Sequence, residues 1–151
     1  MLRENLSESL KEATLAKDSC ATATIRLILA ALKDRDIAAR SKGNTAGIGD
    51  DDILGLLQTM VKQRRESIEM YEKGNRQELA DREAREIEVI QRFLPEQMDD
   101  QGIAEAVAQV IKETGAGGLK DMGAVMGALR AQFAGRMDFS KASVAAKQKL
   151  S

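Results

Sequence analysis

Residues 115–151 read GAGGLKDMGAVMGALRAQFAGRMDFSKASVAAKQKLS, and the spacing of their apolar residues decides the fold. On a wheel turning ~100° per residue, Leu119, Met122, Val125, Met126, Leu129 and Phe133 share one half of a helix. The opposite half carries Lys120, Gly123, Ala124, Gly127, Arg130 and Ala131. Gly135-Arg136-Met137-Asp138 turns the chain, and Asp138 or Ser140 caps a last helix. There Phe139, Ala142, Ala146 and Leu150 form the buried side, while Lys141, Lys147 and Lys149 stay exposed.

Two interior glycines weaken a helix by about 1 kcal/mol each relative to Ala. A solvated face has no use for that loss. Side-chain-free positions flanked by Lys and Arg suit the close approach of another backbone, either a packed helix or a nucleic-acid strand whose phosphates meet the cations. The charge distribution agrees. Residues 115–151 hold six Lys/Arg against two acids, a net of +4, whereas residues 1–114 hold seventeen against twenty-two, a net of −5. A whole-chain charge of −1 therefore hides a basic segment that points to an anionic partner. Gly115-Ala-Gly-Gly118 followed by Lys120 is not a phosphate loop. That motif needs a preceding strand, Lys next to Gly, and a hydroxyl after it, so the glycines read as a helix C-cap and connector.

Working outward, Ile103, Ala106, Val107, Val110 and Ile111 mark a helix before this segment. Pro95, the only proline, ends the helix that precedes it. We place a domain boundary there, giving an N-terminal domain 1–95 and a C-terminal domain 96–151 of three helices. Upstream, Leu2, Leu6, Leu10 and Ala13 lie on a first helix, and Asp18 or Ser19 caps a second. Residues Ile25 to Leu32 are apolar on nearly every side, which predicts a helix inside a bundle, with a charged tail from Lys33 to Lys42 projecting into water.

Gly43 to Gly49 is a loop. Asp50-Asp51-Asp52 reads as an N-cap with first-turn acids rather than a metal site, which needs spaced oxygen ligands. A third helix carries Ile53, Leu57, Met60, Arg64, Ile68 and Tyr71 on one stripe and closes at Lys73-Gly74. Its basic cluster Lys62, Arg64, Arg65 reads as a solvated face paired with Glu66 and Glu69, or as a secondary nucleic-acid contact. A fourth helix starts near Asn75 and runs to Phe93, with Leu79, Ile87 and Ile90 apolar, Glu83 interrupting, and its carboxylates a solvated face. The fold class is all-α: about four helices in an N-terminal bundle and a small three-helix C-terminal domain.

Composition narrows the chemistry. No histidine is present, which removes triad and His-base catalysis and His-ligated metals. The single Cys20 has no partner for an internal disulfide and reads as a small buried residue in a reducing compartment. No apolar run approaches the ~20 residues a membrane span needs, and the acidic amphipathic N-terminus is unlike a signal peptide. The expectation is a cytoplasmic protein with no membrane association, no cofactor, no metal and no catalytic residues. Candidate RNA-binding residues are Lys120, Gly123, Gly127, Arg130, Arg136, Lys141, Lys147 and Lys149, with Lys62, Arg64 and Arg65 as a secondary basic patch. Lacking an aromatic stacking platform, such a surface suits shape and backbone recognition of a folded RNA.

Asp121-Met-Gly-Ala-Val-Met-Gly-Ala-Leu-Arg130 followed by Gly135-Arg-Met-Asp-Phe-Ser-Lys-Ala-Ser143 resembles the YqeY family. Ile25 to Leu32, Lys62 to Ile68 with Tyr71, Glu86 to Ile90, and Phe93-Leu-Pro-Glu-Gln97 extend the resemblance over essentially the whole chain. Members share their C-terminal module with the tail of the B subunit of the tRNA-dependent amidotransferase. The resemblance implies the two-domain helical architecture and tRNA as partner. It also brings a family label of carbon–nitrogen ligase with glutamine as amido donor, although nothing here resembles the amidotransferase's ATP domain or its Ser-Ser-Lys amidase. The reading it supports is a tRNA-associated accessory protein without autonomous catalysis. The alternative is a helical adaptor docking an amidotransferase or aminoacyl-tRNA synthetase subunit. Where the family often has Lys after Asp-Met-Gly, this chain has Ala124, which leaves Lys120 and Arg130 as the better candidates for RNA contact.

Overall fold

The computed structural model describes residues 1–151 and contains helices only: α1 Leu2–Leu15, α2 Ser19–Arg40, α3 Asp50–Lys73, α4 Gln77–Gln91, α5 Asp100–Thr114, α6 Met122–Phe133 and α7 Phe139–Leu150. A short 3-10 turn, Leu119–Asp121, leads into α6. The chain is all-α, as its composition and periodicity require. It forms two compact units, Met1–Leu94 and Pro95–Ser151.

In the first unit, Leu6, Ile28, Leu32, Ile53, Leu57 and Ile90 form the main core. A smaller cluster of Ala13, Ala21, Ile25 and Val89 joins α1, α2 and α4, with Cys20 half-buried against it rather than fully enclosed. Asp18 caps α2 by accepting the Ala21 N–H at 3.0 Å. The helix α2 is not enclosed on all sides. Its buried residues are Ala21, Thr24, Ile25, Ile28 and Leu32, and Leu27 stands 49% exposed on the opposite face. An all-round apolar sequence gives no phase, so which face the neighbours cover is decided by packing.

Helix ends account for two further differences. Asn75 does not cap α4. It adopts φ 58° and closes α3, where the Arg76 N–H reaches the Tyr71 carbonyl at 2.8 Å, a left-handed helix stop in which Asn replaces the usual Gly. Gly49 holds the N-cap position of α3, so all three of Asp50, Asp51 and Asp52 lie in its first turn, where the helix dipole favours them.

The charged tail of α2 is likewise not all solvated. Arg3 donates from Nη1 and Nη2 to the two oxygens of Asp36 at 2.7 Å each, and from Nη2 to the Ile48 carbonyl at 2.8 Å. Asp36 also accepts the Ile48 N–H at 2.9 Å. One bidentate pair thus pins the 41–49 loop to α1 and α2. Gly47 is required beside it: its φ is +92°, and a Cβ there would lie 2.6 Å from Arg3 Nη2. The Arg3 hydrogen bond first, and the Ile48 N–H second, hold the Asp36 carboxyl at about 2, below its ordinary 3.8. A depressed carboxylate stabilises the fold above its unfolded pKa, and that contribution is lost as pH falls from about 3.8 to about 2. Asp36→Asn is therefore expected to cost roughly 1–2 kcal/mol near neutrality. Its deficit relative to the parent should fade across that acidic window in urea denaturation.

In the second unit, α5, α6 and α7 each pack against the other two. The core is Ile103, Val107, Val110, Val125, Met126, Leu129, Met137, Ala142 and Ala146. Asp99 and Asp138 cap α5 and α7 by accepting backbone N–H groups of the first turn. Gly115, at φ 66°, ends α5, and the Gly117 N–H is held by Asp121 Oδ2 at 2.9 Å. The glycine-rich segment is thus a helix stop and connector. Leu119 departs from its wheel position: it is 49% exposed, because the 3-10 turn advances its side chains at a different angle from the helix that follows.

Candidate nucleic-acid interface

Helix α6 turns Val125, Met126 and Leu129 into the core, and the same periodicity sends Gly123, Gly127 and Arg130 to the opposite face, where all three are exposed. These three lie within ~60° of one another on the helix wheel. A Cβ built on Gly123 or on Gly127 meets no atom within 4 Å. No other part of its own unit packs there, and Ala124 and Ala131 extend the low surface along one side. The result is a strip of helix backbone that a second backbone can approach closely.

Arg130 closes one end of this strip. Its guanidinium carbon lies 5.8 Å from the centre of the half-buried Phe139 ring at the start of α7. The ring restrains Arg130 by cation–π contact and leaves its N–H donors unengaged. Phe139 thus belongs to the arrangement in a supporting role. Its helix wheel showed only a buried position, and nothing in the linear sequence links it to Arg130. At the other end Lys120 is exposed in the 3-10 turn and forms no ion pair.

The other basic residues do not gather on the strip. Arg136 is exposed in the turn after α6, where its carbonyl accepts the Met98 N–H at 2.8 Å. Lys141 Nζ donates to Asp100 Oδ1 on α5 at 3.0 Å. Lys147 and Lys149 are exposed in the last turn of α7, and residues two apart on a helix point ~160° away from each other. The +4 charge of the segment is therefore distributed around the unit.

The patch on α3 is reorganised more thoroughly. Lys62 and Arg65 are exposed, but Arg64 is not a solvated cation, nor does it pair with Glu66 or Glu69. Its Nε donates to Glu86 Oε2 on α4 at 2.9 Å, and Nη1 donates to the Met60 carbonyl at 3.2 Å. Glu83 lies 3.9 Å from the same Nε. Of the α4 carboxylates expected on a solvated face, Glu83 and Glu86 instead point at α3, because Arg64 and Glu83 each occupy a core-facing position of their helix, while Glu78, Asp81 and Glu88 are exposed. Two opposite charges interrupting two apolar stripes was the available signal. Lys62 and Arg65 are left as the exposed cations of this cluster.

A family model described as "Yqey-like protein" matches residues 3–150. Among curated relatives, "Altered inheritance of mitochondria protein 41, mitochondrial" of Lachancea thermotolerans is 37% identical over 90 residues, covering 60% of this chain and 46% of that protein. A protein of the same description from Clavispora lusitaniae is 30% identical over 115 residues, covering 74% of this chain and 64% of its own length. "Uncharacterized protein C22F3.15" of Schizosaccharomyces pombe is 27% identical over 96 residues, 64% of this chain and 71% of that protein. The chain thus spans about half the length of the first of these relatives. No helix here is long and apolar enough to cross a membrane.

Proposed function

The chain belongs to the YqeY-like protein family, and from that premise we propose that its C-terminal unit holds a folded RNA, with tRNA as the partner. The observation that carries this reading is the open strip at Gly123 and Gly127, which no other part of its unit covers, bounded by exposed Lys120 and Arg130. A sugar–phosphate backbone lying on the strip would place phosphates beside both cations, giving recognition by shape and charge rather than by base sequence. Arg136, Lys141, Lys147 and Lys149 would add a diffuse positive field that speeds encounter. The protein would act in the cytoplasm as an accessory to tRNA-dependent amide formation, contributing RNA binding and leaving the chemistry to an amidotransferase or synthetase subunit.

Filter binding of tRNA across a salt series tests the reading. The logarithm of affinity should fall linearly with the logarithm of salt. Replacing both Lys120 and Arg130 with Ala should lower that slope by about 2, one for each phosphate contact removed. No measurable affinity, or a slope indifferent to both substitutions, would end the proposal.

A protein helix could also use the strip, and one observation favours that second reading: Leu119 and Val144 of the same unit are 49% and 58% exposed. A partner retained from lysate after RNase treatment, and lost from the Gly123→Ala/Gly127→Ala variant, would select it.

A further inference from the structure

Within the first unit, α2, α3 and α4 line an open cleft of about 380 Å³. That lies near the lower end of the ~300–1,000 Å³ typical of small-molecule sites. Leu27, Tyr71 and Leu79 supply its apolar lining, and Arg64, Arg82, Glu83 and Glu86 its charged lining. The charged groups are not equally provided for. Arg64 commits its Nε–H to Glu86 and an Nη1–H to the Met60 carbonyl. Glu83 is left with Arg64 Nε at 3.9 Å and receives no hydrogen bond, although its side chain is only 23% exposed. Burial first, and the neighbouring Glu86 second, push its carboxyl above the ordinary value, against the opposing pull of Arg64 and of Arg82.

A half-buried carboxylate without donors, beside one aromatic and two aliphatic side chains, is half of a recognition pair. We propose that this cleft binds a small molecule bearing an ammonium or guanidinium group, its N–H donors on Glu83 and its carbon chain against Leu27, Tyr71 and Leu79. Such heads carry three to five donors and no acceptor, the complement of an ionised carboxylate. The Tyr71 ring adds attraction for a cation. An anion fits worse, because it would meet Glu83 and Glu86 while Arg64 is already engaged, leaving only the solvent-exposed Arg82 to receive it. A metal ion fits worse as well, since no three acidic or sulfur ligands converge.

The chain contains one tyrosine and no tryptophan, so its intrinsic emission reports from the cleft itself. The full chain is titrated with putrescine and with agmatine, each as its chloride, at constant ionic strength. The same titrations are followed by amide chemical shifts along α3 and α4. At least one amine should give a saturable change in Tyr71 emission or in those shifts, and whichever binds tighter names the head group. Glu83→Gln, which keeps the shape and removes the charge, should weaken that binding by about tenfold or more. The variant should melt no lower than the parent, since it relieves a disfavoured charge. Silence in both readouts with both amines overturns the proposal. So does an equal response from Glu83→Gln, or from tetramethylammonium, which has no N–H to donate.

Discussion

Gly123→Ala and Gly127→Ala, combined in one chain, are expected to raise stability and to lower tRNA affinity by about tenfold or more, a loss of roughly 1.4 kcal/mol in binding. The gain in stability follows from the open space. Neither new Cβ meets an atom within 4 Å, so the substitutions carry no steric cost inside the chain. Each removes the conformational freedom that makes Gly poorer than Ala in a helix by about 1 kcal/mol. Chemical denaturation should therefore show the C-terminal unit stabilised by about 1–2 kcal/mol in total. The loss of affinity follows from the same geometry. A methyl group at each site lifts an opposing backbone off the strip and away from Lys120 and Arg130, whose charges are untouched. Stability and binding moving in opposite directions is a signature that a packing role inside the fold cannot produce. Should the variant be stabilised and bind tRNA as the parent does, the strip is not the contact surface.

Arg64→Ala is the second large effect, an expected cost of about 2–3 kcal/mol. The side chains of Arg64, Glu86 and Glu83 are 14%, 17% and 23% exposed. Removing one partner of a fully buried ion pair costs about 3–5 kcal/mol, and the residual solvent here places the expectation at or below the low end. What hurts is less the lost attraction than the two carboxylates stranded together between α3 and α4. Glu83 is already held above its ordinary pKa by burial and by Glu86, and without Arg64 it rises further. A carboxyl whose folded pKa is raised destabilises the fold where it is ionised, and protonation relieves it. The deficit of the variant should accordingly be largest near neutral pH and shrink as the solution is acidified toward pH ~5. Urea denaturation of parent and variant at both ends of that range measures it. Arg64→Lys, which keeps the charge but not the directed Nε–H, should fall between the two. A deficit within the ~0.5 kcal/mol typical of surface substitutions would mean that Arg64 behaves as a solvated residue.

The helices and their inward faces were legible because each is a property of neighbours along the chain. Leu6 and Ala13, Ile53 and Leu57, Ile103 and Val107, and Val125 and Leu129 all occur at helical spacing, and all are buried. The same local grammar shows Asp18 as a cap and Gly123 and Gly127 on one face. It fails wherever the partner is distant. The basic cluster of Lys62, Arg64 and Arg65 reads as paired with Glu66 and Glu69 because residues three or four apart, such as Lys62 with Glu66 and Arg65 with Glu69, are the ones a single helix displays, whereas the Glu86 that Arg64 meets lies 22 residues on. Arg3 and Asp36, 33 residues apart, give no linear hint of meeting. Met137, fully buried, sits in a turn with no period to reveal it. Net charge says how many cations a segment has, but not that Lys147 and Lys149 diverge on α7. The candidate strip was therefore readable in its glycines and only partly in its charges.

The empty space over Gly123 and Gly127 also bears on how this chain changes over generations. Every glycine codon is a single base away from an alanine codon. Drift thus offers alanine at both positions continually, and within the isolated fold each such change is an improvement. In a lineage released from its partner, both glycines are expected to disappear ahead of Gly47 and Gly115, whose backbone angles hold them in place.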